Sequence, residues 1–353
     1  MNARDNLLSL LKREGYDFVP VELMLCQEQI AQYREKTGNQ VEYEEYFKLP
    51  WRYIPDLLLY DNNPSKYLKY YHNLKEGAEI DFLGVAHEPG SEAAKHMTKM
   101  LHPLKGEEEL SEIKKYPFPE FNNADNAHQK KLVDDTHKLG LAAVGNMQMT
   151  IWEASWYIRS MEDMMIDMMT DNPIAEYILN KITEVGLIRA LSYVSSGVDI
   201  LFLGDDIGMQ QSIMMSEDLY VKWIFPRLKY IIDEVKRINR DIIIFYHSCG
   251  YIEPLIPYLI EAGVDVLSPI QSECMDFGEI HKAFGNQISF HGTIGTQETM
   301  PFGTPQQVKS LVVKNLDIAG KKGGLFVAPT HIIEPEVPWD NIVAYIEACR
   351  EYV

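Results

Sequence analysis

The sequence predicts an α/β protein, a single-domain (β/α)8 barrel of the TIM type over residues 1–353, with an N-terminal helical extension. Two observations predict it. Short apolar runs rich in β-branched residues alternate with amphipathic stretches of helical period, and polar residues collect just after the runs. A doubly wound open sheet would give almost the same alternation, so the fold rests on the number of strands.

Eight apolar runs have the length and composition of strands. In chain order they lie at 18–25, 80–86, 141–148, 199–204, 242–248, 264–270, 288–293 and 323–328. Helical stretches between them include "EDLYVKWIFPRLKYIIDEVKRI" and "TPQQVKSLVVKNLDIAG", which Ser216 and Thr304 are placed to cap. Eight strands separated by helices favour the closed barrel.

Composition excludes several classes of protein. The net charge is −19 and basic residues are not clustered, which argues against a nucleic-acid partner. We expect no membrane association, because no apolar run approaches the roughly 18 residues of a membrane span. The N-terminus resembles no export signal and the four cysteines are scattered, so we expect a cytoplasmic protein with free thiols.

Polar side chains follow the predicted strands, where a barrel places its active site. They are Glu22, His87, Gln148, Asp205, Asp206, His247, Cys249, Gln271, Glu273, His291, Thr293 and His331. His247 and Cys249 stand two apart in "FYHSCG", so on a strand both would point the same way and could bind one metal ion or fill a core.

We assign further roles to residues at the same end of the barrel. Paired carboxylates repel, and one of them can stay protonated near neutrality, so Asp205 and Asp206 are the catalytic candidates. The alternative is that one of them caps the following loop. The side chains that we expect to contact the substrate are Glu22, Gln148, Tyr246, Gln271 and His291.

Three stretches resemble the uroporphyrinogen decarboxylase superfamily. They are "HSCGYIEPLIPYLIEAGVDVLSPIQ", "ISFHGTIGTQETMPFGTPQQV" and "GGLFVAPTHIIEPEVPWDNIVAYIEA". The likeness is greatest to the bacterial proteins of that superfamily that are related to corrinoid-dependent methyltransferases. It covers residues 140 to 350 well and implies a (β/α)8 barrel.

The superfamily contains two chemistries. True decarboxylases carry an N-terminal "RQAGRY"-type segment whose arginines hold the carboxylates of a tetrapyrrole. This chain has "ELMLCQEQIAQYRE" there, with Glu22 and Glu28 where basic residues would be needed. Tetrapyrrole decarboxylation is therefore not expected.

The methyltransferase branch is similar in its His-x-Cys pair and in a third metal ligand after the last strand. His247 and Cys249 match the pair, whereas "APTHII" has His331 where those enzymes have cysteine. The resemblance implies a zinc ion on His247, Cys249 and His331. It also implies O-demethylation, in which the methyl group of a small methylated substrate, such as a methoxylated aromatic, moves to the cobalt of a partner corrinoid protein. A homodimer is the candidate assembly.

Three alternatives remain open. Glu92, Glu107 and His128 fit a Glu-x14-Glu-x20-His zinc pattern associated with veratrol-type O-demethylases. The chain could instead be a decarboxylase of a smaller acid, or a non-catalytic barrel that binds a ligand. The Met- and Trp-rich stretch "WEASWYIRSMEDMMIDMM" is typical of a core helix or of an adaptable partner surface, and it could also line an apolar substrate pocket.

Overall fold

The computed structural model describes residues 1–90, 98–122 and 125–352. The strands in these residues are β1 (Trp51–Ile54), β2 (Glu79–Ile80), β3 (Ala86–Glu88), β4 (Lys99–Leu101), β5 (Ala142–Gln148), β6 (Ile200–Gly204), β7 (Ile243–His247), β8 (Val266–Ser268), β9 (Ser289–Ile294) and β10 (Leu325–Pro329). Seven of them form one sheet in the order β1-β5-β6-β7-β8-β9-β10, and β2, β3 and β4 form a separate antiparallel sheet. Every pairing in the large sheet is parallel.

Helices connect the parallel strands. They are α1 (Ala3–Leu11), α2 (Gln27–Thr37), α3 (Tyr43–Tyr46), α4 (Leu110–Ile113), α5 (Ala127–Lys138), α6 (Trp152–Arg159), α7 (Met161–Met169), α8 (Pro173–Ser196), α9 (Glu217–Leu219), α10 (Phe225–Ile238), α11 (Ile256–Ala262), α12 (Phe277–Phe284), α13 (Thr299–Phe302), α14 (Pro305–Ala319) and α15 (Trp339–Glu351). Short 3₁₀ turns at Pro64–Tyr70 and Glu253–Leu255 and a π turn at Tyr220–Ile224 complete them. The predicted caps are confirmed, because Ser216 accepts from the N–H of Leu219 and Thr304 forms a capping box with Gln307. No helix in the described ranges has the length and apolarity of a membrane span.

Six of the eight predicted runs contain strands of the parallel sheet, and two do not. The run at 18–25 is mostly buried but forms one parallel bridge, from Leu25 to Ile333. The run at 80–86 was predicted wrongly. Asp81 accepts hydrogen bonds from the N–H groups of Leu83 and Val85, which makes a turn between β2 and β3. The strand β1 takes its place, so the described sheet has seven parallel strands where eight were predicted.

The parallel sheet curls around an aromatic interior. Trp51 lies on β1 and Phe326 on β10, at opposite edges of the sheet, yet their ring centroids are 5.1 Å apart. Phe202 and Phe245, on neighbouring strands, stack with centroids 4.7 Å apart in the same interior. The curl brings the C-terminal ends of β6, β7 and β10 toward one another.

Helix α1 closes the end of the sheet where the strands begin. Leu7, Leu10 and Leu11 are buried in the same cluster as Trp51 and Phe326. The N–H of Gly324, just before β10, donates to the carbonyl oxygen of Leu10 at 2.8 Å. The helix does not cover the opposite end of the sheet, where the strands end and where a ligand can enter.

Asp205 joins the end of β6 to the start of α6. Its two carboxylate oxygens accept hydrogen bonds from the backbone N–H groups of Ile151 and Glu153 at 2.9–3.1 Å. These N–H groups lie at the helix start, where they have no partner within the helix. The side chain is fully buried, and burial raises the pKa of Asp205 to about 7 although the backbone hydrogen bonds oppose the rise. Asp205 therefore caps a helix, and its catalytic role stays a prediction.

The first prediction concerns closure of the sheet. Trp51→Ala removes a buried ring that packs on Phe245 and Phe326, and we expect a loss of about 3–5 kcal/mol in the free energy of unfolding. Urea denaturation followed by circular dichroism measures it. Tyr60→Ala, at an exposed aromatic residue, is the control and should change stability little. Equal stability of the Trp51 variant and the parent would contradict this account of the curl.

The second prediction concerns the cap on α6. Asp205→Ala leaves the N–H groups of Ile151 and Glu153 without an acceptor inside the protein, which should cost about 1–3 kcal/mol of stability. Asp205→Asn keeps one acceptor oxygen and should lose less. Asp134→Ala removes an exposed carboxylate, so its stability is the reference for the loss of a carboxylate alone. A stability of Asp205→Ala within error of that reference would refute the capping role.

Candidate metal centre at the strand ends

Three side chains that could bind one metal ion meet where β6 and β7 end. The sulfur of Cys249 is 3.5 Å from Nε2 of His247, and that nitrogen is 3.8 Å from Oδ1 of Asp206. All three donor atoms lie within 4.8 Å of one another. Within the described ranges, this is the single group of three or more His, Cys, Asp or Glu side chains that meets this distance.

The loop after β7 holds these groups in place by backbone hydrogen bonds. The N–H of Cys249 donates to Oδ1 of Asp206 at 2.8 Å, and the N–H of Gly250 donates to Oε1 of Gln271 at 2.9 Å. Gly250 has φ of +86°, and a Cβ there would lie 2.7 Å from the carbonyl oxygen of Met209. The glycine of "HSCG" is therefore required by the close approach of two loops.

The electrostatics of the three groups suit a divalent cation. Burial lowers the pKa of His247 to about 4, so its imidazole is neutral and has a lone pair to donate. Burial, together with the charges of Asp206 and Glu153, raises the pKa of the Cys249 thiol well above its usual range. A cation would oppose that rise and favour the thiolate.

The distances fit zinc. Zinc bonds of about 2.0–2.3 Å in a tetrahedron place a nitrogen and a sulfur ligand about 3.5–3.6 Å apart, and a nitrogen and an oxygen ligand about 3.3–3.5 Å apart. The separation of 3.5 Å between His247 and Cys249 matches this, and 3.8 Å to Asp206 needs a small adjustment. Nitrogen, sulfur and carboxylate oxygen are all ordinary zinc ligands. The residues at the strand ends therefore fit the metal that the sequence predicted.

The cavity beside these residues has a volume of about 860 Å³. Cys249, Gln271 and His331 all line it. His331 is exposed and lies near enough that its charge lowers the pKa of His247, but it is outside the cluster of donor atoms. Asp206, predicted as catalytic, thus lies within the cluster of donor atoms, whereas His331 as the third ligand stays a prediction.

The remaining predicted contacts divide between the two faces of the sheet. Nε2 of His291 is 3.2 Å from Oε2 of Glu22, and its Nδ1 is 2.9 Å from the hydroxyl of Ser268, all buried inside the curl. Gln148 is half-buried at the end of β5. Tyr246 points to the other face, into the core between sheet and helices, so it does not lie with the other predicted contacts.

Two residues at this end of the sheet were missed from the sequence. Glu153, in the stretch interpreted as a core helix, accepts from the N–H of Asp206 at 3.2 Å and from the hydroxyl of Tyr157 at 2.9 Å. Burial and the neighbouring carboxylates raise the pKa of Glu153 to about 8. Tyr53 lies two residues after Trp51 on β1, with its ring next to Phe202, and is 42% exposed. The sequence did contain a signal that could have identified Glu153, because it is an acidic residue in the first turn of a helix that follows a strand.

The alternative metal site predicted at Glu92, Glu107 and His128 stays a prediction. Glu92 lies outside the described residues. The carboxylate of Glu107 accepts from the N–H of Glu109, and Nε2 of His128 is 3.0 Å from the carbonyl oxygen of Asp56. In the ranges that the structure covers, Glu107 and His128 belong to no metal-binding group.

Comparison with known proteins gives relatives of two activities. Methylated-thiol–coenzyme M methyltransferase of Methanosarcina mazei is 25% identical over 199 residues, which are 55% of this chain and 49% of the relative. Uroporphyrinogen decarboxylase of Pseudomonas fluorescens is 24% identical over 185 residues, which are 52% of this chain and 50% of the relative. The chain thus spans about half the length of the curated relatives it matches.

A solved structure and a family description extend the likeness. A methyltransferase from Methanosarcina mazei has a similar fold, with a TM-score of 0.68 at 18% identity over 99% of both chains. The family described as uroporphyrinogen decarboxylase (URO-D) matches residues 110–352, which is most of the chain. The chain therefore belongs to the uroporphyrinogen decarboxylase family.

Proposed function

We propose that this protein is a methyltransferase that moves a methyl group from a small methylated substrate to the cobalt of a separate corrinoid protein. The observation that carries the proposal is the cluster of His247, Cys249 and Asp206 beside an open cavity. In this proposal the cluster holds one zinc ion, and the distances favour Asp206 over His331 as the third protein ligand. The substrate is a methoxylated aromatic compound.

The comparisons support the general class of the reaction. A relative at 25% identity is a methyltransferase, and so is the solved structure of similar fold. Another relative is a decarboxylase, so family membership alone does not choose between the two activities. The cluster of possible metal ligands favours methyl transfer, because a Lewis acid or a proton donor on the ether oxygen assists the loss of a methyl group from an ether.

Residues of this chain would hold the zinc ion and orient the substrate for the reaction. Zinc bound to the cluster would polarise the ether oxygen and make the alkoxide or phenoxide a better leaving group. Asp206 and Gln271 fix the loop that carries Cys249. Tyr53 offers an accessible ring beside Phe202, and Phe202 lies next to His247 with ring centroids 6.2 Å apart. Cys249 lines the cavity, so an aromatic substrate bound in it can place its ether oxygen toward the cluster.

The third prediction tests the metal ligands. We expect about one zinc ion per chain in the purified protein, and His247→Ala and Cys249→Ala should each lose most of it because both donors are needed for a stable site. Asp206→Ala should bind zinc more weakly, whereas His331→Ala should keep it. Elemental analysis after dialysis measures the content.

Cys274→Ala is the matched control for these variants, because Cys274 is a half-buried thiol outside the cluster. It should retain the zinc of the parent. Zinc lost from His331→Ala but kept by Asp206→Ala would assign the third ligand to the histidine. Full retention in both His247→Ala and Cys249→Ala would overturn the site.

The fourth prediction tests the reaction. With methoxylated aromatics and a reduced corrinoid protein, the enzyme should convert Co(I) to methyl-Co(III), which is visible in the absorption spectrum. Cys249→Ala should slow this transfer by about 100-fold or more if zinc supplies several kcal/mol of barrier lowering. Cys274→Ala should keep the parent rate.

Other outcomes of that assay would select another function. Consumption of uroporphyrinogen, or loss of CO₂ from a smaller acid, in place of methyl transfer would select the decarboxylase activity of the second relative. Binding of methoxylated aromatics without turnover, unaffected by Cys249→Ala, would favour a binding protein.

A further inference from the structure

We propose that the mouth of the sheet selects its substrate by charge, so that uncharged and cationic methylated compounds bind and anionic ones are excluded. This inference rests on the proposed function, because it concerns the methyl donor of the same site. It narrows that donor to methoxylated aromatics without a carboxylate or another anionic group.

The charged side chains that line the cavity are acidic apart from one histidine. Glu334 and Glu336 line it together with His331, and no lysine or arginine lines it in the described part of the chain. Glu273 stands behind the same wall, where its carboxylate accepts from the N–H of Gln297 at 3.0 Å. An anion in this space would face these carboxylates, and among the described lining residues only His331 could pair with it.

A zinc ion bound to the cluster would not offset the negative charge of the carboxylates that line the cavity. A zinc ion carries two positive charges, the thiolate of Cys249 and the carboxylate of Asp206 carry one negative charge each, and His247 is neutral, so the filled centre sums to about zero.

The uncharged part of the cavity favours apolar and cationic ligands. Phe302 is 80% exposed and Met209 is 54% exposed, and both line the space with Pro301 and Ile332. A large aromatic ring and a thioether left open to solvent beside carboxylates offer contacts to a methylated ring. The face of an aromatic ring also attracts a cation. Apolar surface and acidic charge thus occur together in this cavity.

A series of three ligands separates charge from shape. The compounds 4-methoxybenzoate, 4-methoxybenzyl alcohol and 4-methoxybenzylamine share the ring and the methoxy group, and near pH 7 they are anionic, neutral and cationic. Calorimetric titration of the zinc-loaded protein without corrinoid measures their binding. We expect the alcohol and the amine to bind at least about tenfold more tightly than the benzoate, and added salt to narrow the gap.

The double variant Glu334→Gln/Glu336→Gln keeps the size of both side chains and removes their charge. It should reduce the preference for the amine over the benzoate by about threefold or more and leave binding of the alcohol unchanged. Glu14→Gln/Glu261→Gln is the matched control, because both glutamates are exposed away from the cavity. The control should keep the preference of the parent.

The outcomes distinguish this inference from the proposed function. Equal binding of the three compounds, or no binding of the amine and the alcohol, overturns charge selection. A preserved preference in the Glu334/Glu336 variant also overturns it. Graded binding without methyl transfer to cobalt from any of the three would overturn the proposed function and leave charge selection standing.

Discussion

The packing of Trp51 against Phe326 is the contact on which the site depends. These rings belong to strands at opposite edges of the sheet, and their contact requires the sheet to curl until its edges meet. Only in a curled sheet can the ends of β6 and β7 and the turn after β10 face one cavity. The donor atoms of Asp206, His247 and Cys249 are neighbours because β6 and β7 pair directly, and the curl brings the turn with His331 to the same cavity.

The predicted pair of His247 and Cys249 follows from a local rule, whereas the third member needed the fold. Side chains two apart at a strand end point the same way, and the resemblance to a His-x-Cys motif pointed to the same pair. Asp206 joins them through a hydrogen bond from the N–H of Cys249, which no spacing in the sequence reveals. His331 was expected from its position after the last strand, but that turn leaves it exposed at the rim.

The parts of the fold that could not be predicted have local causes. The strand β1 is four residues long and contains Arg52, so its apolar run is too short to be noticed. The run at 80–86 has a suitable composition, but Asp81 binds the backbone two and four residues ahead and turns the chain. Glu153 was hidden within a Met- and Trp-rich stretch, because composition reports burial and does not identify a buried carboxylate.

Helix α1 has a consequence for the order in which the molecule can be completed. The helix is synthesised before the parallel strands on which it packs, yet its Leu10 carbonyl accepts a hydrogen bond from the N–H of Gly324, which lies 314 residues later in the chain. Its leucines can meet Trp51 and Val144 earlier, but their packing with Phe326 must wait until β10 has been made. Contacts of such sequence separation slow folding, since a long loop must close before they form. Until then part of the apolar surface of the helix stays open to chaperones or to other chains, so we expect assembly to be vulnerable at this helix.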